Sequence, residues 1–107
     1  MSRIKKPVNH KDKCSPTELK MLGDFWTLLI IQTLGDGEKR FTQLERELPQ
    51  ANPSTLTSRL KKLEEQRIIK RQEETVDKLS VVYSLTEKGN GILPILKEIR
   101  TFADKFL

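Results

Sequence analysis

The chain has 107 residues and a net charge of +5, which corresponds to one domain with a basic balance. Hydrophobic residues make up 36% and charged residues 33%, as in a globular domain with a small core. One cysteine excludes an internal disulfide framework, and one cysteine with one histidine argues against a zinc site. The longest uncharged stretch, 25–35, is too short to span a bilayer. We therefore expect a cytoplasmic protein with no metal, no cofactor and no membrane contact.

The positive charge is concentrated in two segments. Residues 1–13 contain five basic residues and one acidic residue, and we expect them to form a basic N-terminal arm before a domain at 14–107. The arm is either a solvated tail or a segment that binds phosphate. Residues 59–71 contain six basic and two acidic residues. This second segment is the more useful indication of a nucleic-acid partner, because the arm alone accounts for most of the high isoelectric point.

The beginning of the domain predicts two helices. Ser15 is expected to cap the first, with Pro16 at its first position and Glu18 closing a capping box. Gly23 should end this helix, and its apolar residues are expected to face inward, namely Leu19 and Leu22. The second helix, predicted over 25–34, is apolar enough to be buried on most sides.

Two further helices are predicted after a Gly–Asp–Gly turn and a short extended piece at 38–41. Thr42 opens a capping-box pattern and is expected to begin the third helix, which Pro49 stops. Asn52 is expected to cap the fourth helix, predicted over 53–66.

The last third of the chain predicts a hairpin and a final helix. Two strand-like runs at 69–75 and 80–85 are expected to pair. Thr86 should cap one helix that reaches towards Leu107, and Pro94 should kink its first turns. Two short helices joined by a tight turn and followed by a hairpin predict an α+β, mainly helical fold. The order of elements predicts a winged helix-turn-helix with a two-stranded wing.

The fourth helix has the pattern of a helix that enters the major groove of DNA. Leu56, Leu60 and Leu63 fall within about 40° of one another on a helical wheel and predict a buried stripe. The polar residues fall on the opposite side and its flanks: Ser54, Thr55, Thr57, Ser58, Lys61, Lys62 and Glu65. Small hydroxylated side chains permit a close approach to bases, and lysines neutralise phosphates. The alternative is an ordinary amphipathic helix with a solvated polar face.

The hairpin carries basic residues at positions that suit a DNA-contacting wing. Lys70 and Arg71 enter the hairpin, and Lys78 lies near its tip, where it can reach phosphates or the minor groove. Acidic residues in the same hairpin argue against a deep insertion of every side chain, namely Glu73, Glu74 and Asp77. The alternative is a plain exposed hairpin.

Four segments resemble, in their order, motifs of the HxlR-type winged helix-turn-helix regulators, a MarR-like family. They are Leu22–Ile30 (LGDFWTLLI), Arg40–Leu44 (RFTQL), Leu56–Glu64 (LTSRLKKLE) and Tyr83–Gly89 (YSLTEKG). The resemblance covers about 14–107 and implies a bacterial transcriptional regulator, a repressor or an activator, that binds double-stranded operator DNA as a homodimer. It also implies that the terminal helices are dimerisation helices. The DNA contacts that it implies are Ser54, Thr55, Thr57, Ser58, Arg59, Lys61 and, in the wing, Lys78. The helical wheel adds Lys62 to this set.

The chain departs from the family pattern at two positions of structural interest. Phe25 stands where the family usually has a lysine before the tryptophan. Arg67 stands where the family usually has a glycine after the recognition helix. A glycine supplies a left-handed helix end without steric cost, so Arg67 must either adopt that conformation or end the helix differently.

Cys14 is a candidate redox sensor. It lies immediately before the predicted Ser15 cap, with Lys11 and Lys13 close in sequence, and a cationic helix N-terminus favours the reactive thiolate. Several members of the family respond to oxidants or electrophiles through a cysteine in this region. The alternative is a structural thiol buried at a dimer interface.

Two other function classes are weaker. A winged helix used only for protein contacts would have a neutral or apolar outward face on the fourth helix, which Ser54, Ser58 and Lys61 contradict. An enzyme would require a cluster of catalytic groups, whereas His10 lies in the predicted arm and Cys14 has no partner in the sequence. The identity of a small-molecule inducer stays open.

Overall fold

The computed structural model describes residues 13–73 and 81–107. Elements follow in the order predicted, with one additional division near the C-terminus. They are α1 (Pro16–Leu22), α2 (Phe25–Leu34), β1 (Lys39–Arg40), α3 (Phe41–Glu47), α4 (Pro53–Glu65), β2 (Ile69–Glu73), β3 (Val81–Leu85), α5 (Glu87–Asn90) and α6 (Leu93–Phe106).

Helix α1 begins and ends as predicted but buries none of its side chains. Ser15 Oγ accepts a hydrogen bond from the backbone N–H of Glu18 at 3.1 Å, and Glu18 Oε1 accepts one from the N–H of Ser15 at 2.8 Å. The expectation that Leu19 and Leu22 face inward is wrong, since they are 58% and 36% exposed. Only Met21 packs against the core from this helix. The apolar side of α1 therefore faces away from its own domain.

Helix α3 begins at Phe41, earlier than the predicted start at Thr42. Arg40 is the N-cap, and its backbone N–H donates to Gln43 Oε1 at 2.8 Å. Arg40 also ends β1, where it pairs with Val82, so the chain passes from strand to helix without a linker. Because this pairing is tertiary, the local capping pattern placed the start too late.

The three strands form one antiparallel sheet in the order β1-β3-β2. The hairpin strands pair from Ile69 opposite Leu85 to Glu73 opposite Val81, as predicted. The two-stranded wing is extended by β1, whose Lys39 pairs with Tyr83. The predicted wing residue Lys78 lies in 74–80, outside the described residues.

Helix α4 and the elements that cover it form the centre of the core. Its three leucines pack with apolar residues of α2, α3, the following strand and the start of the C-terminal segment. The buried cluster comprises Ile30, Ile31, Leu34, Leu44, Leu48, Ala51, Leu56, Leu60, Leu63, Ile68, Ile69 and Ile92. The predicted leucine stripe is thereby confirmed.

A left-handed residue ends α4. Arg67 has a φ of 60°. The N–H of Ile68 donates to the Leu63 carbonyl at 2.9 Å, and the N–H of Arg67 donates to the Glu64 carbonyl at 2.9 Å. These two bonds are the Schellman motif that a glycine usually completes. Of the two possibilities left by the sequence, Arg67 thus adopts the left-handed conformation.

The C-terminal segment consists of two helices, so the expectation of one kinked helix is wrong. Thr86 caps the short α5, its Oγ1 accepting from the N–H of Gly89 at 3.1 Å. Gly89 lies so close to the Ile68 carbonyl that a Cβ there would overlap it. Pro94 falls in the first turn of α6, where a helix needs no N–H donor, and therefore begins a helix instead of kinking one.

Candidate nucleic-acid interface

Helix α4 presents a polar surface on the side opposite its buried leucines. Leu56, Leu60 and Leu63 are at most 2% exposed, which fixes the rotation of the helix about its axis. The outward residues lie in solvent, namely Ser54, Thr57, Ser58, Lys61 and Lys62. The predicted placement of these five residues is confirmed, whereas their contact with DNA stays a prediction.

The N-terminal end of α4 is held by a local cap. Asn52 Oδ1 accepts a hydrogen bond from the backbone N–H of Thr55 at 2.7 Å, and Pro53 occupies the first helical position. The Thr55 side chain is half-buried on the flank of the helix. Ser54 and Ser58 are one turn apart, so the small hydroxylated part of the surface coincides with the first two turns. A helix N-terminus carries a partial positive charge that favours a nearby phosphate.

Arg59 differs from the rest of the predicted set because its guanidinium is bound within the protein. Its Nε donates to Asp24 Oδ2 at 2.8 Å, and its Nη2 donates to Asp24 Oδ1 at 3.1 Å. The Arg59 and Asp24 side chains are 30% and 25% exposed. The pair joins the middle of α4 to the start of α2.

Asp24 is also the N-cap of α2. Its Oδ2 accepts from the backbone N–H and from Oγ1 of Thr27, both at 2.9 Å. The hydrogen bond from Arg59 is the main cause that holds the pKa of the Asp24 carboxyl well below its usual range, against an opposing effect of burial. The same bond raises the pKa of Arg59. Asp24 is therefore a carboxylate at neutral pH.

Sequence analysis did not identify Asp24 as a functional residue. One local signal was available, because Asp24 immediately precedes an apolar run and lies three residues before Thr27, the usual spacing of a cap. A second signal concerned Arg59, which a helical wheel places only about 60° from Leu56. That position borders the buried stripe and not the outward face. No local rule, however, links Arg59 to a residue 35 positions earlier.

The described part of the wing is basic at its base. Lys70 and Arg71 lie exposed on β2, next to the end of α4. Arg71 Nη2 lies 3.9 Å from Glu73 Oε2, a long and exposed ion pair that solvent screens strongly. Lys70 and Arg71 are therefore two accessible cations on β2, the strand that follows α4.

Cys14 is an exposed free thiol in the single chain. It directly precedes Ser15, the cap of α1, as predicted. Over 13–73 and 81–107, no three histidine, cysteine, aspartate or glutamate side chains are grouped as a metal site would require. In the same part of the chain, no helix has the length and hydropathy needed to cross a membrane.

A second, apolar surface lies on the terminal helices. It consists of large side chains that the chain itself does not cover, and we call it the terminal apolar surface: Leu19, Leu22, Phe25, Ile95, Ile99, Phe102, Phe106 and Leu107. The rings of Phe102 and Phe106 lie 5.0 Å apart, and those of Phe25 and Trp26 lie 4.8 Å apart. A hollow of about 110 Å³ between α2 and α6 is lined by apolar residues that include Phe25 and Leu96.

A helix-turn-helix whose second helix is exposed on its polar side, followed by a β-hairpin that begins with the exposed Lys70 and Arg71, has the architecture of the winged helix-turn-helix class. The chain belongs to the HxlR-like helix-turn-helix family, whose pattern matches residues 21–107. Cys14 lies before the matched range.

Characterised relatives agree with this assignment. The HTH-type transcriptional regulator YodB of Bacillus subtilis is 38% identical over 86 residues, which cover 80% of this chain and 77% of YodB. The structure of reduced YodB matches with a TM-score of 0.77 at 35% identity, over 88% of this chain and 95% of YodB. A quinone-bound structure of YodB matches with a TM-score of 0.73 at 37% identity, over 84% of this chain and 94% of YodB. The oxidized form of the redox regulator HypR matches with a TM-score of 0.76 at 29% identity, over 87% of this chain and 98% of HypR. The chain is thus a helix-turn-helix transcriptional regulator with redox-responsive relatives.

Proposed function

We propose that the protein binds double-stranded operator DNA sequence-specifically, as a homodimer, and thereby regulates transcription. The observation that carries the proposal is the orientation of α4. Its three buried leucines are at most 2% exposed, whereas its serines and lysines face solvent. Such a surface has little to offer an apolar protein partner but matches the groove and phosphates of DNA. The function needs no catalytic group or cofactor, and it places the protein in the cytoplasm with the chromosome.

The proposed contacts divide into two groups. Residues of the first two turns of α4 carry short hydroxylated side chains suited to base edges and nearby phosphates: Ser54, Thr55, Thr57 and Ser58. Lys61 and Lys62, further along the helix, neutralise phosphates, as does Lys78 in the wing. The basic arm at 1–13 is proposed to add phosphate contacts.

The terminal apolar surface is the proposed dimer interface. The single chain leaves eight large apolar side chains exposed on α1, the start of α2 and α6. Exposed apolar patches on a protein surface commonly mark sites of association with another protein. A two-fold dimer would present two copies of α4 to successive major grooves on one face of the DNA. We therefore expect the operator to be an inverted repeat whose half-sites lie about one helical turn apart.

The test compares lysine and serine variants of α4 on a selected operator and on unrelated DNA at several salt concentrations. Lys61→Ala or Lys62→Ala should weaken binding to both DNAs and reduce the slope of log K against log salt by about 0.9 per contact. Ser54→Ala or Ser58→Ala should change base preference by roughly 1–3 kcal/mol at one position per half-site, with the slope unchanged. Lys97→Ala on α6 is the matched control, since it removes the same charge from a different helix.

The alternative function, a winged-helix module for protein contacts without DNA binding, makes the opposite prediction. The wild-type protein would show no preference for any fragment selected from genomic DNA, and the lysine variants would behave as Lys97→Ala does.

We further propose that Cys14 makes DNA binding responsive to electrophiles or oxidants. The thiol is exposed in the single chain, and YodB has a quinone-bound structure. With 1,4-benzoquinone, the Cys14 thiolate would add to a ring carbon. The C–S bond forms as a ring C=C π bond breaks, one carbonyl oxygen takes a proton from water, and the hydrogen of the attacked carbon leaves as a proton while the other carbonyl oxygen gains one. The product is a thioether-linked hydroquinone, so the quinone itself is reduced and no further oxidant is needed. Intact mass should rise by one adduct per chain and operator affinity should change, whereas Cys14→Ser should show neither. An adduct without any change in affinity would leave only the structural interpretation of the thiol.

A further inference from the structure

The Asp24–Arg59 pair lies beside Lys62, one of the proposed phosphate contacts. Arg59 borders Lys62 on the flank of α4, and the cleft around the pair is lined by residues of α1, α2 and α4: Lys20, Met21, Asp24, Thr27, Arg59 and Lys62. Three of these side chains are cations and one is an anion. A phosphate that approached Lys62 would therefore approach the Arg59 guanidinium as well, unless that guanidinium were already occupied.

The Asp24 carboxylate is a strong competitor for Arg59. It binds two guanidinium nitrogens, at 2.8 and 3.1 Å, in the bidentate arrangement that a phosphate would adopt. Its own position is fixed by the two bonds from Thr27, whose side chain is 4% exposed. Because Asp24 is part of the same chain and preorganised, a phosphate must displace it at the cost of leaving a carboxylate unpaired.

We propose that Asp24 is a specificity-determining residue that holds Arg59 away from the DNA phosphates, so that Arg59 positions α4 on α2 instead of contributing a phosphate contact. The inference rests on the proposed DNA-binding function. Phosphate contacts contribute affinity that does not depend on sequence. Withholding one cation per protomer lowers the affinity for unrelated DNA, while the tie to α2 keeps the α4 serines in a fixed position relative to the bases.

The experiment measures the salt dependence of binding to the operator and to unrelated DNA for variants of the pair. Asp24→Asn is the central variant, because asparagine keeps the cap on α2 and removes the charge that holds Arg59. The slope of log K against log salt should become steeper by about 0.9 per protomer, or about 1.8 for a dimer. The released arginine should strengthen binding to both DNAs. The preference for operator over unrelated DNA should fall because the α4 serines lose the fixed position that the bond between Arg59 and Asp24 gives them.

Arg59→Ala tests the other side of the pair. In the wild-type background it should lower operator affinity without reducing the slope, which is the signature of a positioning residue. Combined with Asp24→Asn, it should return the slope to the wild-type value, so that the two substitutions are not additive. Glu65→Gln on the outward face of α4 is the matched control for loss of a negative charge. The effect of Glu65→Gln on the slope should be the same in the wild-type background and in the Arg59→Ala background.

Two results would overturn the inference. A slope that falls by about 1.8 in Arg59→Ala alone would show that Arg59 contacts phosphate in the wild-type complex. A slope that rises equally in Asp24→Asn with and without Arg59 would show a general charge effect. Circular dichroism checks that each variant is folded, and Asp24→Ser, which also keeps a capping oxygen, replaces Asp24→Asn if the latter is not.

Failure of this inference is distinguishable from failure of the proposed function. If the Lys61→Ala and Lys62→Ala variants reduce the slope while Asp24→Asn leaves it unchanged, the protein binds DNA and only the role of Asp24 is wrong. If no variant, wild type included, binds selected DNA better than unrelated DNA, the proposed function fails first.

Discussion

Helices α4 and α6 are similar in length and pattern, but the domain buries the apolar face of α4 and leaves most of that of α6 exposed. They have 13 and 14 residues, and each carries one apolar face. The α4 leucines are at most 2% exposed, whereas Ile99, Phe102 and Phe106 of α6 are 53–67% exposed. Amphipathicity thus shows that a helix has a face to cover, but not whether its own chain covers it.

The difference has a simple structural cause. Helix α4 lies between α2 and β2, so the domain covers its apolar face on both sides. Helix α6 packs on α2 only through its first turns, where Leu93 and Leu96 reach the core, and then continues beyond the domain. The first helix therefore exposes a polar surface suited to DNA, and the second exposes a surface suited to a second copy of the chain.

The sharpest test of this comparison pairs one apolar truncation in each helix. Leu60→Ala should lower the free energy of unfolding of the domain by about 2–5 kcal/mol, because it opens a cavity in the core. Ile99→Ala should leave the unfolding of the isolated domain nearly unchanged and should weaken dimerisation. Thermal and urea unfolding, over a range of protein concentrations, separate the two effects. An equal decrease in the free energy of unfolding of both variants at low protein concentration would mean that α6 is covered by its own domain.

A charge placed on the terminal apolar surface should separate the protomers. Phe102→Asp should weaken the dimer by about 3 kcal/mol, roughly a hundredfold in dissociation constant, since it buries a carboxylate in an apolar interface. Thr101→Asp adds the same charge to an adjacent, polar side of α6 and is the control. Sedimentation velocity measures both. A wild-type protein that is monomeric at micromolar concentration would contradict the proposed interface.

Acid should disrupt the Asp24–Arg59 ion pair, which joins α4 to α2. The pKa of Asp24 is lowered in the folded state, so the pair stabilises the fold fully above the unfolded value of about 3.9 and loses this contribution as pH falls below it. We expect a contribution of about 1–2 kcal/mol, below that of a fully buried pair because solvent reaches a quarter or more of each side chain. The wild type should therefore exceed Asp24→Asn in unfolding free energy at pH 7, and the difference should shrink below about pH 4. Arg59→Ala should reduce this pH dependence without removing it, because the hydrogen bonds from Thr27 also lower the pKa of Asp24.

The smallest expected effect concerns the end of α4. Arg67→Gly should raise the free energy of unfolding by about 0.5–1 kcal/mol, because glycine adopts a φ of 60° without the steric cost that arginine pays. Gln66→Gly, one residue earlier at a φ of −85°, should lower it by a similar amount. A decrease in both variants would show that the left-handed conformation carries no strain.

Local patterns predicted most of the elements and several of their ends. Ser15, Asn52 and Thr86 were identified as caps because a capping bond spans only three residues, a distance that the sequence displays directly. The same reasoning failed at Thr42, where pairing of β1 with β3 moved the helix start to Phe41.

Patterns at the C-terminus were ambiguous in a way that only packing resolved. In the sequence, Pro94 indicated a kink in one long helix after Thr86. In the structure, Gly89 permits a close approach to the Ile68 carbonyl, and Pro94 begins a separate helix. The role of Gly89 depends on Ile68, a neighbour distant in sequence.

For this protein, the sequence by itself determined the periodic features: the helices, the hairpin and the leucine stripe that sets the outward face of α4. Those features depend on side chains within a few positions of each other. Only the tertiary structure decided that Arg59 is held by Asp24, 35 residues away, and that Leu19 and Leu22 of α1 lie uncovered. Both depend on which surfaces the folded chain brings together, and helical periodicity carries no information about that.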